Sequence, residues 1–96
     1  MNIVDAKKII SASKPLLAER FGVNEIGVFG SFSRGEQSDS SDVDILVAFD
    51  KPVGFFKFLD LEEYLSSILG RKVDLVTRQA LKPNIGRNIL KDLVTV

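Results

Sequence analysis

Apolar residues recur at helical spacing over residues 3 to 12: Ile3, Ala6, Ile9 and Ile10 share one side, with Lys7 and Lys8 between them. Pro15 lacks an N–H and crowds the turn before it. It predicts a joint at Ser13 and Lys14, then a second helical stretch from Pro15 to Arg20. Gly22 suits a helix stop. Residues 25 to 29, Glu-Ile-Gly-Val-Phe, read as a strand. Residues 31 to 41 are polar, with five serines, two acids, Arg34 and Gly35, and predict a loop holding one helical turn. Residues 42 to 49 alternate as a second strand, with Val43, Ile45, Val47 and Phe49 towards the core and Asp42, Asp44 and Leu46 on the other side. Asp50, Lys51, Pro52 and Gly54 punctuate the chain. Phe55, Phe58, Leu61, Leu65, Ile68 and Leu69 then mark one face of a helix over residues 55 to 69, which Gly70 ends. Residues 72 to 77 form a third strand. A last helix runs from about Asn84 to Asp92, with Ile85, Ile89 and Leu93 four residues apart, and Val94 to Val96 can add a short strand.

The predicted order is α-β-β-α-β-α. The expected fold is α+β, a small mixed β-sheet with helices packed mainly on one face, in one domain spanning residues 1–96. The 36 Leu, Ile, Val and Phe residues argue for an ordered core.

Composition then narrows the chemistry. The chain has 13 basic and 13 acidic residues, and no long basic run, which argues against a sequence-independent grip on nucleic acid. It has no Cys and no His, which excludes thiolate zinc, disulfides, cysteine nucleophiles, imidazole-ligated metals and Ser-His-Asp catalysis. A metal here must be held by oxygen, which favours Mg²⁺, Mn²⁺ or Ca²⁺. No apolar run is long enough to cross a membrane, and the first residues lack the apolar stretch of a signal peptide. A cytoplasmic setting is the expectation.

The informative stretch runs from Gly30 to Phe49. Asp42 and Asp44 stand on one side of their strand, about 6 to 7 Å apart along the backbone. Asp74 takes the equivalent side of the third strand. If those strands are neighbours, three acids converge on one sheet surface. Unpaired carboxylates that close repel one another and at least one pKa rises. A hard divalent cation removes the conflict and leaves positions open for substrate phosphates. Two such ions can clamp the attacking and leaving oxygens of a phosphoryl or nucleotidyl transfer. Ahead of the acids, Gly30 permits close backbone approach, Ser31 adds a hydroxyl at the start of a helical turn, and Arg34 shares that turn's face.

Gly30-Ser31, ten residues, then Asp42-Val43-Asp44 resembles the signature of the nucleotidyltransferases of the DNA polymerase β superfamily. The runs Gly-Ser-Phe-Ser-Arg-Gly-Glu at 30 to 36, Ser-Asp-Val-Asp-Ile-Leu-Val at 41 to 47 and Leu-Gly-Arg-Lys-Val-Asp-Leu-Val at 69 to 76 look like the minimal nucleotidyltransferases, many of them antitoxins paired with a helical HEPN-domain ribonuclease toxin. The similarity extends over nearly the whole chain. It implies a polymerase-β-like nucleotidyltransferase fold and transfer of AMP from ATP, with Mg²⁺ (two ions), onto a tyrosine of the partner toxin. By the same resemblance Asp42, Asp44 and Asp74 are the catalytic and metal-binding acids, and Gly30 and Ser31 bind the triphosphate. Arg34 is an extension of that nucleotide-binding set. No membrane and no direct nucleic-acid contact are expected, and a homo-oligomer is left open.

Blander readings stand beside these. Arg34 suits a surface ion pair as well as a phosphate. Glu36 and Asp39 read as solvated loop acids, and the serines at 38, 40 and 41 as turn residues, with Ser41 bracing the entrance to the Asp42 strand. Phe56 and Tyr64 fall away from the apolar face of their helix. They mark either a protein interface or a surface covered by the N-terminal or final helices. A non-catalytic module that silences its partner by contact alone is the alternative function.

Overall fold

The computed structural model describes residues 1–96, except the side chain of Ile85. Helix α1 (Ile3–Phe21) opens with a capping box in which the Asn2 side chain accepts from the Asp5 N–H and Asp5 accepts from the Asn2 N–H. It closes at Gly22 in the left-handed conformation, as predicted. The predicted joint at Ser13 and Lys14 does not form, and α1 runs through Pro15 without a break. Ile10, Leu17 and Phe21 are all buried, and they form one seam only if the helix is continuous. Ser11, whose carbonyl loses its partner at Pro15, is exposed to water, as is Pro15 itself. Burial of the seam outweighs the missing hydrogen bond.

Strand β1 (Val23–Phe29) leads to a single helical turn, α2 (Ser31–Arg34), and then to β2 (Val43–Phe49). Helix α3 (Phe55–Leu69) follows, ended by Gly70, then β3 (Val73–Thr77). A 3₁₀ turn at Arg78–Ala80, helix α4 (Pro83–Asp92) and the two-residue strand β4 (Val94–Thr95) complete the chain. Strand order is β3-β2-β1-β4. β1 runs antiparallel to β2 and β4, while β2 and β3 are parallel, so the sheet is mixed as expected.

The core fills one face. Ala6, Ile10, Leu17 and Phe21 from α1 and Leu61, Leu65 and Leu69 from α3 cover Ile26, Val28, Val43, Ile45, Val47, Val73 and Leu75 of the sheet. Phe55 departs from the prediction: it is 68% exposed and packs edge-on against Phe56, because the first turn of α3 projects beyond the core. Tyr64 is settled in favour of cover by the N-terminal helix. Its ring lies 5.9 Å from that of Phe21 and its hydroxyl donates to Ser13 Oγ. Phe56 remains 80% exposed.

Leu46 also departs from the prediction. It lies on the side of Asp44, yet is 1% exposed. The C-terminal segment returns over that face. Leu46 pairs with Gly27, and a Cβ on Gly27 would sit 2.6 Å from Leu93 Cδ1. Gly27 is therefore the gap into which Leu93 fits. The Ile85 part of the expected apolar ridge on α4 lies outside the described residues.

Candidate active site

The open end of this face is where β1 finishes and β2 and β3 begin. Asp44 is the direct partner of Asp74 in the parallel pair, which sets their Cα atoms roughly 4.8 Å apart. Asp42 stands one residue before β2, exposed, with Lys72 Nζ at 3.9 Å from its Oδ2. Asp74 is exposed and Asp44 is half-buried. The two strands thus bring the acids to one surface, away from the core. They do not close into a cage. Among the described residues no three acids converge on one point as a ready ligand set. Mg²⁺ usually takes one or two carboxylates and completes its shell with waters and substrate phosphates, so an open acid set suits it better than a closed one.

Electrostatics marks Asp44 as the central member. Its carboxyl titrates above the ordinary aspartate range, first because it is partly withdrawn from water and then because Asp74 and Asp42 repel its charge; Arg34 opposes the shift. A cation between these groups would relieve that repulsion. The donor set therefore fits a hard divalent ion.

Gly30 closes the site from the other side. It has φ 73° and ψ −148°, a region essentially reserved for glycine. A Cβ there would also fall well inside van der Waals contact with Asp44 Oδ2. The bare backbone of Gly30 thus lies directly against the central acid. The Arg34 N–H and the Ser33 hydroxyl both donate to the Gly30 carbonyl, at 3.2 and 2.9 Å, which holds the turn in place. The Ser31 hydroxyl has no protein partner among the described residues.

Arg34 is engaged. Its Nε donates to Glu36 Oε2 at 3.0 Å and its Nη1 to Asp92 Oδ2 at 2.6 Å. These carboxylates raise its pKa. The ion-pair reading of Arg34 is thus met, in an exposed pair beside the acids.

The loop that carries the chain from Gly35 to Asp42 is built on serines. The Ser38 N–H donates to Ser41 Oγ at 2.9 Å and the Ser41 N–H to the Ser38 carbonyl at 3.1 Å, so Ser41 does brace the entrance to β2. Arg71 clamps this loop by donating to the carbonyls of Ser38 and Asp39 while its guanidinium lies 5.2 Å from the Phe32 ring centre. Sequence reading assigned no role to Arg71 or to Asp92. A lone arginine after a helix and an acid at a helix end carry no local signal of what they touch.

A cleft of about 560 Å³ lies at the far end of β2 and β3, lined among others by Phe49, Pro52, Val53, Phe55 and Phe58. Its lining is mostly apolar and holds none of the three acids.

Residues 10–96 match the family described as the nucleotidyltransferase domain. The chain is 48% identical to the protein adenylyltransferase MntA of Thermococcus cleftensis, over all of this chain and 97% of that one. A solved structure described as a minimal nucleotidyltransferase superposes with a TM-score of 0.78 at 29% identity, over all of this chain and 97% of that chain. The chain also shares its fold with a structure from Shewanella oneidensis described as a tri-AMPylated HEPN toxin in complex with an MNT antitoxin. The TM-score is 0.67 at 23% identity, over 99% of this chain and 71% of that chain.

Proposed function

Since the chain belongs to the nucleotidyltransferase domain family, we propose that it is a Mg²⁺-dependent protein adenylyltransferase. It moves AMP from ATP to a hydroxyl, that of a tyrosine, on a partner HEPN toxin, and so acts as an antitoxin. The observation that carries this reading is the in-register pair Asp44 and Asp74 beside a Gly30 backbone whose conformation favours glycine and at which a Cβ would meet the Asp44 carboxylate. The curated relative's name and the AMPylated toxin complex support the choice of a protein acceptor and of AMP.

In this reading Asp42 and Asp44 would hold the metal, with Asp74 as a third ligand. Mg²⁺, two ions in the full complement, would supply charge neutralisation for the triphosphate and the leaving pyrophosphate. The Gly30 backbone and the Ser31 hydroxyl bind the triphosphate, whose close approach requires a residue without a side chain at position 30. Asp74, exposed at the rim, takes the proton from the acceptor hydroxyl. That oxygen attacks the α-phosphorus. A new O–Pα bond forms, the bond from Pα to the oxygen bridging to Pβ breaks, and pyrophosphate leaves. The proton passes from Asp74 to solvent. Electrostatic stabilisation and positioning are the terms such a transfer draws on, and the acids with their cradle are placed for both.

The test is incubation of the protein with α-labelled ATP, Mg²⁺ and its candidate HEPN partner. Label is expected on the partner and is lost in Asp42→Asn and Asp44→Asn. A partner that is inhibited yet unlabelled overturns the proposal and leaves inhibition by contact alone.

A further inference from the structure

We infer that Asp92, in the last turn of α4, is a positioning residue that together with Glu36 grips Arg34 by Nε and Nη1 and presents Nη2 to the nucleotide's phosphates. The inference rests on the nucleotidyl-transfer reading above and adds a residue to it from the far end of the chain.

Three observations lead there. First, the grip leaves one nitrogen over. Glu36 takes Nε at 3.0 Å and Asp92 takes Nη1 at 2.6 Å, while Nη2 has no protein partner among the described residues. A guanidinium is a rigid planar fork, so fixing two of its nitrogens fixes the direction of the third. Second, the root of the side chain is tied to the cradle. The Arg34 N–H donates to the carbonyl of Gly30, whose Cα abuts the Asp44 carboxylate. Third, Asp92 is in an unfavourable place for an acid. The C-terminal end of a helix carries the negative end of the peptide dipole and favours cations. Exposed ion pairs contribute little to stability, so stability alone does not account for a carboxylate set there against Arg34.

A long side chain loses rotamer freedom when it binds a ligand. Holding Arg34 in advance removes that cost from nucleotide binding and leaves the chemical step alone. Asp92 therefore acts on affinity for ATP through Arg34, and the C-terminal segment becomes part of the nucleotide site.

The test measures binding of Mg²⁺ with a non-hydrolysable ATP analogue to the full chain by calorimetry, alongside KM and kcat for label transfer. Asp92→Asn is expected to weaken analogue binding and raise KM for ATP by roughly three- to tenfold, the cost of immobilising one such side chain. The kcat value is expected to change less than KM, and Asp92→Glu to recover part of the loss. The charge swap Arg34→Asp with Asp92→Arg restores the ion pair but puts no guanidinium at position 34, so its analogue binding is expected to stay weak. Unchanged or tighter binding in Asp92→Asn overturns the inference. So does wild-type affinity in the charge swap, which would reduce the pair to a fastening for α4. If Asp92→Asn fails to fold, the swap alone decides. Failure of the underlying reading looks different: analogue binding follows the pattern above while no label reaches the partner.

Discussion

Asp44 shares its sheet face with Asp74 and Asp42, and part of its carboxyl is withdrawn from water. In the fold it titrates above the ordinary aspartate value of about 3.9. The protonated form is thus the one the fold prefers. Its stabilising share is fully present below the ordinary aspartate range and is lost as pH rises through the raised folded value. At neutral pH the ionised group works against folding. Asp44→Asn keeps the shape and removes the charge, so the unliganded variant is expected to melt higher than the wild type at pH 7. The gap should narrow as the pH falls through the acidic range, because the wild type then becomes neutral at this position too. Thermal melts of both proteins across pH check it, with about 4–8 °C corresponding to 1 kcal/mol in a domain of this size. A variant that melts lower at pH 7 would remove the case for charge repulsion at the site. Gly30 gives the complementary case. Gly30→Ala meets a forbidden backbone region and the Asp44 carboxylate at once. A loss of about 1–3 kcal/mol in chemical denaturation is expected, together with loss of transfer. Wild-type activity in this variant would mean that the close approach is not required.

Elements were legible where their signal is local. Alternation along β2 and β3 predicted that Asp44 and Asp74 would share a side, and the parallel register made them partners. The spacing of Leu61, Leu65 and Leu69 predicted the buried face of α3. Three failures arise from contacts that local periodicity does not contain. Leu46 is buried because Leu93 crosses a face that alternation marks as polar. Asp92 meets Arg34 across 58 positions of sequence. Pro15 predicts a break by its own chemistry, yet the seam of Ile10, Leu17 and Phe21 against the core keeps α1 whole. That conflict gives a prediction about the helix. Pro15→Ala restores the N–H to Ser11 hydrogen bond and removes the ring's clash with the turn before it. The variant is expected to gain about 1–3 kcal/mol, the greater part of the cost of an interior proline, measured by urea denaturation. A loss instead would mean that proline's restriction of the unfolded chain outweighs its strain in the helix.

At the scale of the molecule, a four-stranded sheet has two edges, and an open edge is a template for pairing with another chain. One edge here is β4, two residues long. The other is β3, whose outward N–H groups at Val73 and Leu75 do not face water. The Val73 N–H donates to Ser66 Oγ at 3.1 Å and the Leu75 N–H to Glu62 Oε2 at 3.3 Å. Both acceptors project from α3, the helix that precedes β3, so the connection that delivers the strand also covers its donors. Since β3 carries Asp74, this cover keeps the edge next to the acids free of a paired strand and leaves the acid itself exposed. Replacing both acceptors, with Glu62→Ala and Ser66→Ala, leaves two donors unpaired in a partly buried place. The double variant is expected to lose about 2–6 kcal/mol, at 1–3 kcal/mol for each unsatisfied group. It is also expected to self-associate more than the wild type as concentration rises in sedimentation experiments, because the bared donors can pair with a strand of another copy. A variant that loses stability but associates no more than the wild type would make these two bonds a matter of stability alone and leave the edge guarded by other means.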